Sequence, residues 1–150
     1  MSLTKKRGRG MAASWYGISR TAAMDQAGAW AEIDDGGTAK IVTGVTEIGE
    51  GILTVLAQVA AEELGVKPEL VSIGDNDTSR SPEAAHAGAT RQTYMIGNAV
   101  AMACRDSKDK LFKEIAKEWN VEKETLQAHD GEIWADGTNY KMPMSEAIHI

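Results

Sequence analysis

Residues 52–64 carry apolar side chains at positions 53, 56, 57, 60 and 64, the spacing of one helical face, between Gly49 and Gly51 on one side and Gly65 and Pro68 on the other. A helix bounded so sharply constrains what lies beside it. Upstream, residues 27–33 run small and apolar into Asp34-Asp35-Gly36-Gly37, and residues 38–42 resume a β-favouring pattern, which predicts a hairpin. Downstream, residues 70–73 are short, apolar and β-branched and predict another strand. Strand, glycine loop, helix and strand form a β-loop-α-β unit of about 30 residues, the length of a mononucleotide-binding half.

Residues 74–88 then read as a polar loop. Residues 90–119 contain no proline and only Gly97, and Leu111, Phe112, Ile115, Ala116 and Trp119 share one face, so they predict a long helix, whole or broken. Its first half is rich in small residues (Gly97, Ala99, Ala101, Ala103), which allow either close core packing or the approach of a ligand. Asp130-Gly131 and Asp136-Gly137 mark turns between short alternating runs, and a helix is expected from Met144. The fold class is therefore α+β, a mixed sheet with a β-hairpin, the β-loop-α-β unit and a long helix. Residues 1–9 read as a basic arm or appended tail. Residues 10–150 read as a single domain or subdomain, cut short at its C-terminus because the chain stops within an element at Ala147-Ile148-His149-Ile150.

A chain of 150 residues with 43% hydrophobic residues is long enough for one ordinary core. Its net charge of −6 argues against nucleic acid or anionic membrane as partner, despite the cluster Lys5, Lys6, Arg7 and Arg9. With neither a membrane-length apolar run nor a signal-peptide core, the expected location is cytoplasmic. Cys104 is the single cysteine, so an iron–sulfur cluster would have to be held elsewhere.

The chemistry-bearing candidates begin with Gly49-Glu50-Gly51. Glycine lets an oxo group or phosphate approach the backbone, and the head of the following helix favours an anion. The motif alone is weak, because Thr54 stands where a dinucleotide fingerprint has its third glycine, and an ordinary helix entry explains it equally well. Glu50 in the first turn is favoured by the helix dipole, or else faces a cofactor. Asp75-Asn76-Asp77-Thr78-Ser79 begins like a calcium loop but fails at its sixth and twelfth positions, Arg80 and His86. His86, His129 and His149 show no metal-ligand spacing, and no metal site is expected from this chain's residues.

Residues 43–66, with Thr46-Glu47-Ile48-Gly49-Glu50-Gly51 at their centre, resemble the glycine-glutamine-glycine segment of the molybdenum hydroxylases, the xanthine dehydrogenase and aldehyde oxidase family. Asp77-Thr78 through Pro82, Ala89-Thr90-Arg91-Gln92-Thr93-Tyr94 and Gly97-Asn98-Ala99-Val100 are similar to the segment that follows it, and residues 10–17 to the lead-in. The resemblance spans about residues 8 to 105. It implies part of a molybdopterin-binding catalytic subunit, acting on a purine, aldehyde, N-heterocycle or carbon monoxide. The cofactor would be molybdenum-molybdopterin, in mono- or dinucleotide form, with iron–sulfur and FAD groups in other domains or subunits. The remaining domains or subunits would be its partners, and the isolated chain would be inactive and prone to self-association. By resemblance, the Gly49-Glu50-Gly51 turn would lie against the molybdenum's oxo ligand, Thr54 would be among the cofactor-binding residues, and Thr90, Arg91 and Gln92 would hydrogen-bond the pterin or its phosphate. No catalytic residue is expected in this stretch, since the family's base glutamate and phenylalanine-bearing glycine loop have no counterpart here. Glu50 departs from the family's glutamine and, when ionised, only accepts hydrogen bonds. Two other readings stay open from the residues alone: a nucleotide-binding βαβ module of an unrelated dehydrogenase, using Asp75 or Asp77 on a ribose, and a non-catalytic interaction domain.

Overall fold

The computed structural model of the chain describes residues 5–14, 25–74 and 77–150. Trp15, Tyr16 and Gly17 of the lead-in, Asp75 and Asn76 of the acidic loop, and residues 1–4 of the arm lie outside them.

β1 (Trp30–Ile33) and β2 (Ala39–Val42) form the hairpin, in register Trp30 to Val42 and Ile33 to Ala39. Asp34 sets the turn, its carboxylate accepting the N–H groups of Gly36 and Thr38 at 2.9 Å each. α1 (Ile52–Leu64) then crosses over, and β3 (Val71–Ile73) pairs in parallel with β2, giving the order β1-β2-β3. β3 is one residue shorter than the sequence implies, because Pro68 opens a 3-10 turn that takes Leu70.

The long helix begins later than its composition predicts. Arg91 leads into a π-helical turn, Gln92–Ile96, before α2 runs from Gly97 to Trp119 and stops at Asn120 in the left-handed conformation. β4 (Leu126–His129), β5 (Glu132–Ala135) and β6 (Lys141–Pro143) form a second, antiparallel sheet, followed by the short α3 (Met144–Ala147). Asp130 and Gly131, both with positive φ, make its first hairpin turn.

The core joins these parts. α1 buries Ile52, Leu56, Ala60, Ala61 and Leu64 against α2, which contributes Val100, Cys104 and Ile115, and against Ala39 and Ile41 of β2. Leu53, which the spacing assigns to the buried face, is 36% exposed, and Ile52 takes its place. Leu53 instead borders an open depression with Thr54, Ala57, Pro68, Val71 and Ile73. The second sheet adds Leu126, Ile133 and Ala135 to the same cluster, and Trp119 stacks on Tyr140 with ring centroids 5.3 Å apart.

Two backbone contacts fasten the second sheet to α1. Gly65 ends the helix at φ +75°, and a side chain there would overlap the Ala128 carbonyl. Its carbonyl accepts the Gly131 N–H at 2.8 Å. By contrast, a Cβ at Gly97 would meet nothing within 4 Å among the described residues, so close packing there does not demand glycine. No described helix is long and apolar enough to cross a membrane.

Candidate functional site

β2 ends at Val42, and the chain then passes over a segment it packs on tightly. Thr43 is buried and donates its hydroxyl to the Gly28 carbonyl at 2.9 Å. A Cβ at Gly44 would come within 2.8 Å of the Pro82 carbonyl oxygen. This close seating brings residues 43–51 alongside the turn that precedes α2.

The glycine turn itself is a loop of two left-handed residues, Gly49 at φ +102° and Gly51 at φ +80°. A Cβ at either would meet no atom within 4 Å among the described residues, so glycine is required here by conformation rather than by space. Glu47 closes the turn from inside: one carboxylate oxygen accepts the N–H groups of Gly49 (2.7 Å) and Gly51 (3.0 Å), the other the N–H of Leu53 (3.4 Å). These bonds, led by the one from Gly51, hold the Glu47 carboxyl below the usual glutamate range.

Glu50 also accepts on both oxygens. Ile48 N–H reaches Oε2 at 2.9 Å, and the side-chain amide of Gln92 reaches Oε1 at 3.1 Å. The same Gln92 nitrogen donates to the Thr46 carbonyl at 2.9 Å. This fixes the amide's orientation, since reversing it would point Oε1 at two acceptors. Gln92 is 6% exposed, and its Oε1 is buried with no hydrogen-bond partner among the described residues. An orphaned buried acceptor costs about 1–3 kcal/mol.

Arg91, 7% exposed, is a clamp between segments far apart in sequence. All three guanidinium nitrogens donate: Nε to the Asp25 carboxylate, Nη1 to the carbonyls of Ala84 and His86, and Nη2 to the Gln26 carbonyl at 2.6 Å. Among the described residues these bonds engage four of its five N–H groups, leaving one on Nη2.

The structure thus brings Gly49, Glu50, Gly51 and Gln92 together, with Arg91 adjacent to Gln92 in the chain but turned toward residues 25–26 and 84–86. Thr90 lies exposed in the turn before Arg91, and Thr54 exposed on α1 beside the depression next to β3. Among the described residues no group of three His, Cys, Asp or Glu side chains is placed to hold a metal. Sequence reasoning missed Glu47 and Asp25. Glu47 had a usable signal, a carboxylate two and four residues ahead of glycines at a helix head; Asp25, 66 residues from Arg91, had none.

Known proteins share this arrangement of elements. Xanthine dehydrogenase 1 of Arabidopsis thaliana is 37% identical over 101 residues, 67% of this chain and 7% of that protein. The aldehyde oxidoreductase molybdenum-binding subunit PaoC of Escherichia coli (strain K12) is 34% identical over 126 residues, 84% of this chain and 16% of that protein. The crystal structure of quinoline 2-oxidoreductase from Pseudomonas putida 86 superposes with a TM-score of 0.74 at 25% identity, over 81% of this chain and 16% of that one. The chain therefore spans less than a fifth of the length of each of these relatives. Residues 2–150 match the family described as "Molybdopterin cofactor-binding domain", and the chain belongs to that family.

Proposed function

We propose that this chain is part of the molybdopterin-binding catalytic subunit of a xanthine dehydrogenase/aldehyde oxidase-like oxidoreductase, which hydroxylates a purine, aldehyde or N-heterocycle with oxygen from water. The named relatives support the class, and one observation at the site supports the cofactor: the Oε1 of Gln92 beside the glycine turn, buried and without a partner among the described residues. That atom asks for a donor. A pterin presents N–H groups at its ring edge, whereas a phosphate or oxo group presents only acceptors.

The residues present fit a pterin on these terms. Gln92 and Glu50 would hold its donor edge, and the bare glycines leave the outer side of the turn open, while Thr54 and Thr90 are exposed residues on the flanking α1 and the turn before Arg91. Arg91 serves the same site by anchoring residues 25–26 and 84–86 rather than by meeting an anion directly. When bound, the pterin-held molybdenum supplies the two-electron redox change of the reaction. This chain's share is to bind and orient; iron–sulfur and flavin groups belong to other domains or subunits. Exposed Ile48, Tyr94 and Met102, at 71%, 69% and 68%, are apolar surface suited to burial against those remaining parts.

The test is metal analysis with pterin fluorescence on the intact assembly purified from its native source. Molybdenum and pterin in near-equal amounts are expected. Their absence from an intact assembly would overturn the reading.

A further inference from the structure

The N–H groups at the head of α1 are those that a helix N-terminus offers to an outside anion. Here the chain supplies the anion itself. Glu47 takes Gly49, Gly51 and Leu53, and Glu50 takes Ile48. α1 has no acidic residue in its first turn, and its N-cap, Gly51, has no side chain to cap with, so Glu47 has no rival within the helix. A carboxylate tethered two to six residues away competes at an effective concentration at least on the order of millimolar, before the repulsion between its charge and an arriving anion is counted.

We propose that Glu47 is the positioning residue of this site: it holds the Gly49 and Gly51 turn in its left-handed shape and denies the Gly49, Gly51 and Leu53 N–H groups to oxo, molybdate and phosphate groups. A ligand then meets the turn through the Glu50 carboxylate and the bare glycine Cα atoms. The identity of that ligand rests on the reading above; the closing of the amides does not.

The experiment is an NMR titration of the isotope-labelled chain with sodium phosphate and, separately, sodium molybdate, following the amide signals of Gly49, Gly51 and Leu53. In the native chain these signals stay fixed with either anion. In Glu47→Ala they exchange with solvent roughly tenfold faster and shift as anion is added. Glu47→Gln keeps one acceptor oxygen, so it restores much of the protection and suppresses the anion response. Anion-dependent shifts of these amides in the native chain overturn the proposal, and so does a Glu47→Ala chain whose exchange and anion response match the native. Should Glu47→Ala not fold, the native titration and Glu47→Gln still decide. None of these readings requires bound cofactor, so failure here is distinguishable from failure to find molybdenum in the assembly.

Discussion

Gln92 donates its side-chain amide to Glu50 at 3.1 Å across 42 residues of chain, and so ties the entrance of α1 to the π turn ahead of α2. Glu50 is the acceptor of the pair. Gln92→Ala removes the donor to both Glu50 and the Thr46 carbonyl and should cost about 1–2 kcal/mol in urea denaturation, the loss being moderated because the orphaned Oε1 goes too. Native-like stability in this variant would mean that the bridge contributes nothing.

Arg91→Lys should be nearly as damaging as Arg91→Ala, each costing about 3 kcal/mol. A lysine cannot reproduce a fork that serves Asp25 on one edge and three backbone carbonyls on the others. Thermal melts of the two variants check this, and a lysine variant close to native would show that only the charge matters.

On α1, adjacent turns should respond unequally to substitution. Leu56 is fully buried, and Leu56→Ala should cost about 2–5 kcal/mol. Leu53, which the apolar spacing assigns to the same face, is 36% exposed, and Leu53→Ser should cost under about 1 kcal/mol. Chemical denaturation of the pair tests the helix's rotation directly.

Acid should weaken the fold in a defined window. Hydrogen bonds from Lys113, then Lys123, hold the Asp109 carboxyl down to about 2, and the Gly51 and Gly49 N–H groups hold Glu47 below its usual value. Both folded values are depressed, so their stabilisation is present above the ordinary carboxylate range and is lost as pH falls through the folded values. Asp109→Asn should flatten the stability profile between its ordinary value and about 2. Because the group is exposed, added salt should flatten it as well.

Cys104 should resist thiol reagents in the native chain at mildly alkaline pH. Burial, reinforced by the charge of Glu63, pushes its thiol up to about 12, and its side chain is fully enclosed. Labelling should appear only with denaturant; rapid native labelling would mean that the packing between α1 and α2 opens readily.

Local chemistry made much of the fold legible. Gly51 and Gly65 bracket α1, Asp34 and Asp130-Gly131 write the hairpin turns, and Pro68 marks the break before β3. The π turn at Gln92–Ile96 was not legible, because the tertiary bonds of Arg91 and Gln92 surround it and no local pattern announces them. The site divides the same way. Gly49, Glu50 and Gln92 were singled out through the glycine motif and the resemblance, but the direction of their hydrogen bonds depends on how residues 43–51 curl back on themselves. The glycine motif invites an anion on paper, and only the curl reveals that Glu47 already answers it.

The meeting of Gly65 with Ala128 pins the end of α1 to β4 at the main chain. Apart from the Ala128 methyl it takes nothing from the side chains of α1 or β4, so substitutions elsewhere on their surfaces leave it in place. Position 65 itself tolerates no such drift, since even a methyl group would lever β4 away from α1 and carry Leu126, Ile133 and Ala135 out of the shared core with it.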